Sequence, residues 1–185
     1  ARAAKRAGAN AISLINTINS ITKVNLDRLI PEPYVDGKSA HGGYCGPAVK
    51  PIALNMLENC ASDPEVNLPI SGIGGISNWR DAAEFIALGS GSVQVCTAIM
   101  HYGFRIVEDL IAGLSEYLDS KRMHSIAELQ GKAVKTVDRW ENLNLNYKRI
   151  AAIDYDSCIG CNLCFVACED GAHQAIALTD AAARG

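Results

Sequence analysis

The stretch LPISGIGGISNWRDAAEFIALGSGSVQVCTA, residues 68–98, decides the fold of this chain. Its first part, Leu68–Gly75, is short and apolar and ends in glycines, which is typical of a buried strand followed by a turn. A helix opened by Ser77 or Asn78 follows, and Ser92–Ala98 has the composition of a second buried strand. A strand, a helix and a strand in this order predict two parallel strands joined by a crossover helix.

The same alternation continues on both sides of this stretch. Before it, Ala11–Ile15 reads as a strand and Pro47–Cys60 as a helix. After it, apolar residues recur at three-to-four spacing, which indicates a further helix: Val107, Leu110, Ile111, Leu114 and Leu118. The sequence therefore predicts an α/β fold in which ligand loops follow the carboxyl ends of parallel strands.

The composition is that of an ordinary globular protein. The chain has 185 residues, of which 49% are hydrophobic and 20% charged, and a formal net charge of −3. This small, mixed charge argues against a nucleic-acid partner. No apolar run approaches the ~20 residues of a membrane span, and no signal peptide is recognisable at the start. We therefore expect a cytoplasmic protein without a membrane partner.

Residues 18–46 form a long segment of weak periodicity that ends in HGGYCGP, residues 41–47. Long irregular segments inside compact domains are often lids or ligand loops. We expect such a loop here, and a surface insertion without function is the alternative.

Two strand ends carry a signal for phosphate binding. Gly72, Gly74 and Gly75 would let backbone amides approach an anion closely, and the following helix adds the positive end of its dipole. Cys96 and Thr97 end the next strand, and neighbouring strand ends of this kind form the phosphate site of (β/α)8 barrels. A plain tight turn is the alternative. The Cys96 side chain is expected to be a small buried apolar group and not a nucleophile.

Asn16, Thr17 and Asn19 follow the first predicted strand. A side-chain amide offers a donor and an acceptor together, which suits a planar heterocycle with alternating carbonyl and N–H groups. A turn that closes the strand is the alternative interpretation.

The motif CIGCNLCFVAC, residues 158–168, contains four of the seven cysteines. The spacing C-x2-C-x2-C-x3-C is that of bacterial ferredoxins, which bind [4Fe–4S] clusters. We predict Cys158, Cys161, Cys164 and Cys168 as ligands; zinc sites usually have a longer gap between cysteine pairs. No second cysteine run follows, and the chain starts with Ala1 instead of methionine, so we expect it to be part of a longer one.

Several motifs in this order resemble the dihydropyrimidine dehydrogenase family, in particular its bacterial NAD-dependent type, whose catalytic subunit carries FMN and iron–sulfur clusters. The motifs are INTINS, GGYCGPAVKPIAL, PISGIGGI, GSVQVCTAIM and the cysteine run. The resemblance implies the C-terminal part of an FMN-binding (β/α)8 TIM barrel followed by a ferredoxin-like [4Fe–4S] segment. The implied boundaries are residues 1–120 for the barrel portion, 121–150 for a helical linker and 151–185 for a partial ferredoxin-type domain.

The resemblance also implies roles for individual residues. Asn16 and Thr17 would bind the pyrimidine. The residues implied to contact FMN, mainly through backbone amides, are Gly46, Ile73, Gly74, Gly75, Cys96 and Thr97. No catalytic residue is implied in this chain, because the acid cysteine of the family lies upstream, and Cys45 would be a neighbour of the flavin.

The implied reaction is reduction of the 5,6 double bond of uracil or thymine, with electrons from NAD(P)H. A partner subunit with FAD would oxidise the nicotinamide, clusters would relay the electrons to FMN, and the protein would form an oligomer. The 185 residues alone are expected to be inactive. The alternatives are a dihydroorotate dehydrogenase-like flavoenzyme and a non-enzymatic iron–sulfur electron-transfer module.

Overall fold

The structure is a computed structural model, and it describes residues 1–147 and 150–178. The chain divides into two compact units, Ala1–Arg139 and Trp140–Gly185. The end of the predicted barrel portion at residue 120 therefore does not coincide with the end of the first unit.

The first unit is described throughout; seven short strands follow its first helix, and helices and strands alternate from residue 50 to residue 102. Its elements, in chain order, are α1 Arg2–Arg6, β1 Ile12–Leu14, β2 Ile18–Ser20, β3 Lys23–Asn25, β4 Ile30–Glu32, β5 Tyr34–Val35, β6 Lys38–Ser39, β7 Gly42–Tyr44, α2 Lys50–Ala61, β8 Ile70–Ile73, α3 Trp79–Ala87, β9 Ser92–Gln94, α4 Thr97–Tyr102, α5 Ile106–Ser120 and α6 Ile126–Leu129. Single 3-10 turns cover Pro47–Val49 and Val134–Thr136.

Strands β1, β8 and β9 form one parallel sheet in that order, with Ser13, Ser71 and Ser92 in register. Leu57 of α2 and Phe85 of α3 are completely buried in the core beside this sheet. A Cβ atom at Gly72 would lie 2.5 Å from the Phe85 ring. Gly72 is therefore required for the packing of α3 against β8. The carboxyl ends of the three strands lie in one region because the strands are parallel.

Helix α3 begins and ends as its sequence indicates. The Asn78 side chain accepts hydrogen bonds from the backbone N–H groups of Arg80 and Asp81, and Asp81 accepts one from the Asn78 backbone, so that a complete capping box is present. At the other end, Gly89 has a φ of 110°, a conformation that favours glycine. The predicted helix is confirmed, with Asn78 instead of Ser77 as the N-cap residue.

Residues 18–44 differ from the irregular loop that we expected. They form three antiparallel two-stranded ladders, in which β2 pairs with β7, β3 with β4 and β5 with β6. Each strand has only two or three residues, which is too short to produce a visible alternation of apolar and polar positions. We call residues 18–44 the antiparallel arm.

The region after α5 packs onto the first unit. Leu129 of α6 is buried against Ala83 and Ile86 of α3, and the Gly131 backbone N–H donates to the Ile86 carbonyl at 3.0 Å. Residues 121–139, which we expected within a linker, thus belong to the first unit.

The second unit is described over residues 140–147 and 150–178. It contains the 3-10 turn Trp140–Asn142 and helix α7, Leu163–Asp170. Within these described residues no side chain is buried. In the described part of the whole chain, no helix combines the length and apolar character needed to cross a membrane.

Candidate functional site

A cavity of about 550 Å³ opens at the carboxyl ends of β1, β8 and β9. Its volume lies within the usual range for small-molecule and cofactor sites. All eight residues that the sequence analysis predicted for the pyrimidine and for FMN line this cavity. They are Asn16, Thr17, Gly46, Ile73, Gly74, Gly75, Cys96 and Thr97. Four separate segments of the chain therefore contribute the predicted residues to a single cavity.

Asn16 and Thr17 lie at the end of β1, and both are exposed to the cavity. The Thr17 backbone N–H donates to Asn16 Oδ1 at 2.7 Å. This bond uses the amide oxygen, so the NH2 group of Asn16 is the part of the side chain that can donate to a ligand. Asn19 lies in β2 opposite Gly43 and is not part of the cavity wall.

The turn after β8 contains two glycines with positive φ, Gly74 at 135° and Gly75 at 77°. A Cβ atom at Gly74 would lie 2.7 Å from Cβ of Ala53, and one at Gly75 would lie 2.6 Å from the Gly46 carbonyl oxygen. Both side chains would thus collide with the segment 46–53. The sequence predicted glycine here to leave room for an anion; the structure shows a further reason, which is the close contact of the turn with the start of α2.

The segment after this turn is held by one carboxylate. Asp81 Oδ2 accepts hydrogen bonds from the Ser77 backbone N–H at 2.9 Å, the Ser77 hydroxyl at 2.8 Å and Asn78 Nδ2 at 2.9 Å. Lys50 Nζ donates to Asp81 Oδ1 at 2.6 Å. Burial would raise the pKa of Asp81, but the hydrogen bonds from Lys50 and Ser77 outweigh it and hold that pKa below its ordinary value.

Two cysteines face the cavity. Cys96 lies between β9 and α4 and is exposed, so the expectation of a buried side chain was wrong. The reason is that β9 ends at Gln94, and Cys96 occupies the N-cap position of α4 at the rim of the cavity. Cys45 is also exposed in the wall of the cavity, next to Gly46.

Sequence reasoning missed the part of the wall that α4 supplies. Met100, His101 and Tyr102 line the cavity from the last turn of this helix, and Gln94 lines it from the end of β9. The signal was available, because a helix that begins at Thr97 returns to the same side one turn later, at residues 100–101.

The four cysteines of residues 158–168 lie in a loop and in α7. Cys158, Cys161 and Cys164 are exposed, Cys168 is half-buried, and all are free thiols. Positive φ angles at Gly160 and Asn162 turn the chain between the first three. In the described residues, no group of three or more His, Cys, Asp or Glu side chains is arranged to hold a metal ion.

The residues present fit both cofactors in chemical terms. The cavity combines an apolar wall with the backbone of a glycine turn, which suits a flat ring bearing a phosphate. The four accessible thiols have the donor type and spacing that a [4Fe–4S] cluster requires.

Comparisons with known proteins agree with the division of the chain into two units. The family model described as dihydroorotate dehydrogenase matches residues 1–118, and the one described as 4Fe-4S binding domain matches residues 150–176. The NAD-dependent dihydropyrimidine dehydrogenase subunit PreA of Escherichia coli (strain K12) is 48% identical over 95% of this chain and 43% of its own length. The predicted resemblance is thereby confirmed.

Two further relatives are more distant. The chloroplastic dihydropyrimidine dehydrogenase (NADP(+)) of Arabidopsis thaliana is 40% identical over 73% of this chain and 33% of its own length. The catalytic subunit of dihydroorotate dehydrogenase B (NAD(+)) of Pyrococcus abyssi is 39% identical over 72% of this chain and 42% of its own length. The chain thus spans less than half the length of these curated relatives.

Proposed function

Because the chain belongs to the dihydroorotate dehydrogenase family, we propose that its first unit is part of an FMN-binding (β/α)8 barrel that reduces the 5,6 double bond of uracil or thymine in the intact protein. The observation that carries this proposal is the convergence of all eight predicted residues on one cavity at the carboxyl ends of three parallel strands. In (β/α)8 barrels this end of the strands is where active sites lie.

The choice of a pyrimidine base over dihydroorotate rests on the second unit. The match to PreA of E. coli extends over 95% of the chain, whereas the match to the P. abyssi dihydroorotate dehydrogenase subunit covers 72%. A catalytic fold and a 4Fe-4S binding domain in one chain favour an enzyme that receives its electrons through its own clusters. The dihydroorotate dehydrogenase reaction is the second candidate.

The residues of the first unit would bind and orient the reactants. Gly74 and Gly75 would hold the FMN phosphate through backbone N–H groups, together with Cys96 and Thr97 at the start of α4. The NH2 group of Asn16 would donate to a carbonyl of the pyrimidine. When bound, FMN would supply the hydride that reduces the double bond.

The lining residues would also exclude water. The proton for the reaction would come from another part of the protein. Ile15 and Val49 contribute apolar wall, and the exposed Met100 lies at the rim of the cavity. The proton donor is proposed to be a cysteine outside these 185 residues, with Cys45 as a neighbour of the ring. We propose that a reaction by residues 1–185 alone does not occur.

The second unit would carry electrons toward the flavin. Cys158, Cys161, Cys164 and Cys168 would ligate iron, and the donor of electrons would be a partner subunit with FAD that oxidises NAD(P)H. We place this oligomeric enzyme in the cytoplasm, where the seven free thiols remain reduced.

The experiment is to purify the intact protein anaerobically with its partner subunit and to measure NADH oxidation with uracil, thymine or orotate as substrate. We expect turnover with uracil and thymine and formation of the 5,6-dihydro product. Turnover with orotate alone, which would be reduced to dihydroorotate, would favour the second candidate. An intact protein that contains iron but no flavin and has no activity would instead indicate an electron-transfer module.

A further inference from the structure

A partly buried ion pair lies behind the cavity wall and joins two helices. Lys50 Nζ, at the first residue of α2, contacts Asp81 Oδ1 of α3 at 2.6 Å and Glu84 Oε2 at 2.8 Å. The Asp81 side chain is 8% exposed, that of Lys50 25% and that of Glu84 48%. Neither Lys50 nor Asp81 lines the cavity. The pair therefore acts on a ligand only through the segments that it holds.

Asp81 holds the segment that follows the glycine turn. Its Oδ2 atom accepts hydrogen bonds from the backbone N–H and the hydroxyl of Ser77 and from the backbone N–H of Asn78. Ser77 lines the cavity, and Gly74 and Gly75 lie three and two residues before it. One carboxylate thus fixes the backbone just after the residues proposed to contact a phosphate.

Lys50 holds the opposite segment. It directly follows the 3-10 turn Pro47–Val49, and Pro47 and Val49 line the cavity. The contact with the glycine turn is close, because a Cβ atom at Gly75 would lie 3.0 Å from the Lys50 backbone N and 2.6 Å from the Gly46 carbonyl oxygen. A change in the distance between α2 and α3 would therefore displace the turn at residues 47–49 relative to the glycine turn at residues 74–75.

The charges explain why Lys50 is not free to serve as a phosphate ligand. Asp81 and Glu84 both accept a hydrogen bond from its ammonium group, and they raise its pKa above the ordinary value. Together, these three side chains carry one net negative charge. Removing the lysine would leave a buried carboxylate without its counter-ion, which is strongly unfavourable.

We propose that the Lys50–Asp81 pair is a positioning device that sets the spacing between segments 45–49 and 73–77, and thereby the affinity of this cavity for the phosphate of its flavin. Lys50 is a positioning residue in this account and makes no contact with the ligand. The inference rests on the proposed function, since it assumes that the phosphate lies at the glycine turn.

The test compares FMN with riboflavin, which lacks the phosphate, on the intact protein after reversible removal of the flavin. The measured quantity is the ratio of the two dissociation constants. In Lys50→Met we expect the preference for FMN over riboflavin to fall about tenfold, because the backbone donors lose their alignment while the ring contacts remain. Lys50→Arg should restore most of the preference, since it keeps the charge.

The control is Arg2→Met, which removes the Arg2–Asp63 ion pair, also 2.6 Å long but at the surface, where Arg2 is 53% exposed. This variant should keep the wild-type preference. Asp81→Asn and Lys50→Gln are measured alongside, so that a folded variant of the pair is available should Lys50→Met fail to fold.

The outcomes separate this inference from the proposed function. A wild-type protein that prefers FMN, with folded pair variants that keep the same preference, would overturn the positioning role alone. Equal losses of FMN and riboflavin affinity would also overturn it, because they indicate a general loss of stability. A wild-type protein with no preference for FMN would overturn the proposed phosphate site and the inference that rests on it.

Discussion

The two units of the chain build their candidate sites in different ways. In the first unit the predicted residues lie at strand ends above a buried core that includes Leu57 and Phe85, and they already surround a cavity. In the described residues of the second unit no side chain is buried, and the four cysteines lie in a loop and in one short helix. Packing forms the first site, whereas the described residues of the second unit have no comparable buried core.

The difference follows from how each segment can gain stability. Strands and helices of the first unit bury apolar surface, which offsets the loss of chain entropy. Short segments with little core usually need a metal or a disulfide instead, and binding of the metal then becomes part of folding. Loss of the cofactor should therefore unfold the second unit and leave the first intact.

The largest effect should come from removing a cluster ligand. In the intact protein we expect Cys161→Ser to lose the iron of that cluster, because one of its thiolates is absent. Iron analysis and EPR of the anaerobic protein measure the loss. The control is Cys60→Ser, a change on α2 outside the cysteine run, and this variant should keep its iron. Both variants should contain as much flavin as the wild type. Flavin loss in Cys161→Ser would contradict the independence of the two sites.

The second largest effect should come from a substitution in the proposed substrate site. We expect Asn16→Ala to lower kcat/KM for uracil by ~10- to 100-fold with normal flavin content, because a polar group of the pyrimidine would lose its partner. Asn19→Ala is the matched control, since Asn19 lies in β2 and outside the cavity wall. Equal turnover in the two variants at unchanged melting temperature would remove Asn16 from the site.

A substitution in the glycine turn tests whether the packing of this turn determines FMN affinity. Gly75→Val should lower FMN affinity by about tenfold or more, because its side chain would collide with the Gly46 carbonyl and displace the turn. Gly131→Val is the control: its φ of 71° is similar, but a Cβ atom there would meet nothing within 4 Å. Isothermal titration with FMN measures both. Similar losses in the two variants would show that backbone strain alone, and not the local contact, determines affinity.

A smaller effect is expected in the pH dependence of stability. The pKa of Asp81 is lowered on folding, so its contribution is fully present above its unfolded pKa near ~3.9 and is lost as pH falls through the lower folded pKa. The raised pKa of Lys50 gives a contribution that is present below ~10.4 and is lost as pH rises through the folded pKa.

Asp81→Asn should therefore flatten the loss of melting temperature below about pH 4. Asp63→Asn is the control, because Asp63 also has a lowered pKa but is bound to an exposed arginine. Its effect should be smaller. Thermal unfolding across this pH range is the measurement, and an unchanged acid limb in Asp81→Asn would contradict the stabilising role of the pair.

The sequence was sufficient for the parallel elements and for eight of the residues that line the cavity. Regular apolar spacing indicated α5, a candidate cap residue at 77 or 78 indicated the start of α3, and glycines marked the turn after β8. It was insufficient for the antiparallel arm, whose strands are too short to show a period. It also missed His101 and the exposure of Cys96, because the exact end of β9 decides which side chains reach the rim.

The contact between Lys50 and Asp81 was equally hidden from the sequence. The two residues are separated by 31 positions, and only the packing of α2 beside α3 brings them together. Asp81 by itself reads as the third residue of a capping box, which is a complete local explanation. Its second role becomes visible only in the structure.

The most direct test of the central claim is to locate the flavin by its protection of thiols. Cys45 and Cys96 are exposed in the wall of the cavity, whereas Cys60 lies on α2 outside it. The intact protein is alkylated with and without saturating FMN, and the labelling rate of each cysteine is followed by mass spectrometry. We expect FMN to slow the labelling of Cys45 and Cys96 severalfold and to leave Cys60 unchanged. Equal labelling of Cys45 and Cys96 with and without bound FMN would contradict the claim that this cavity holds the flavin.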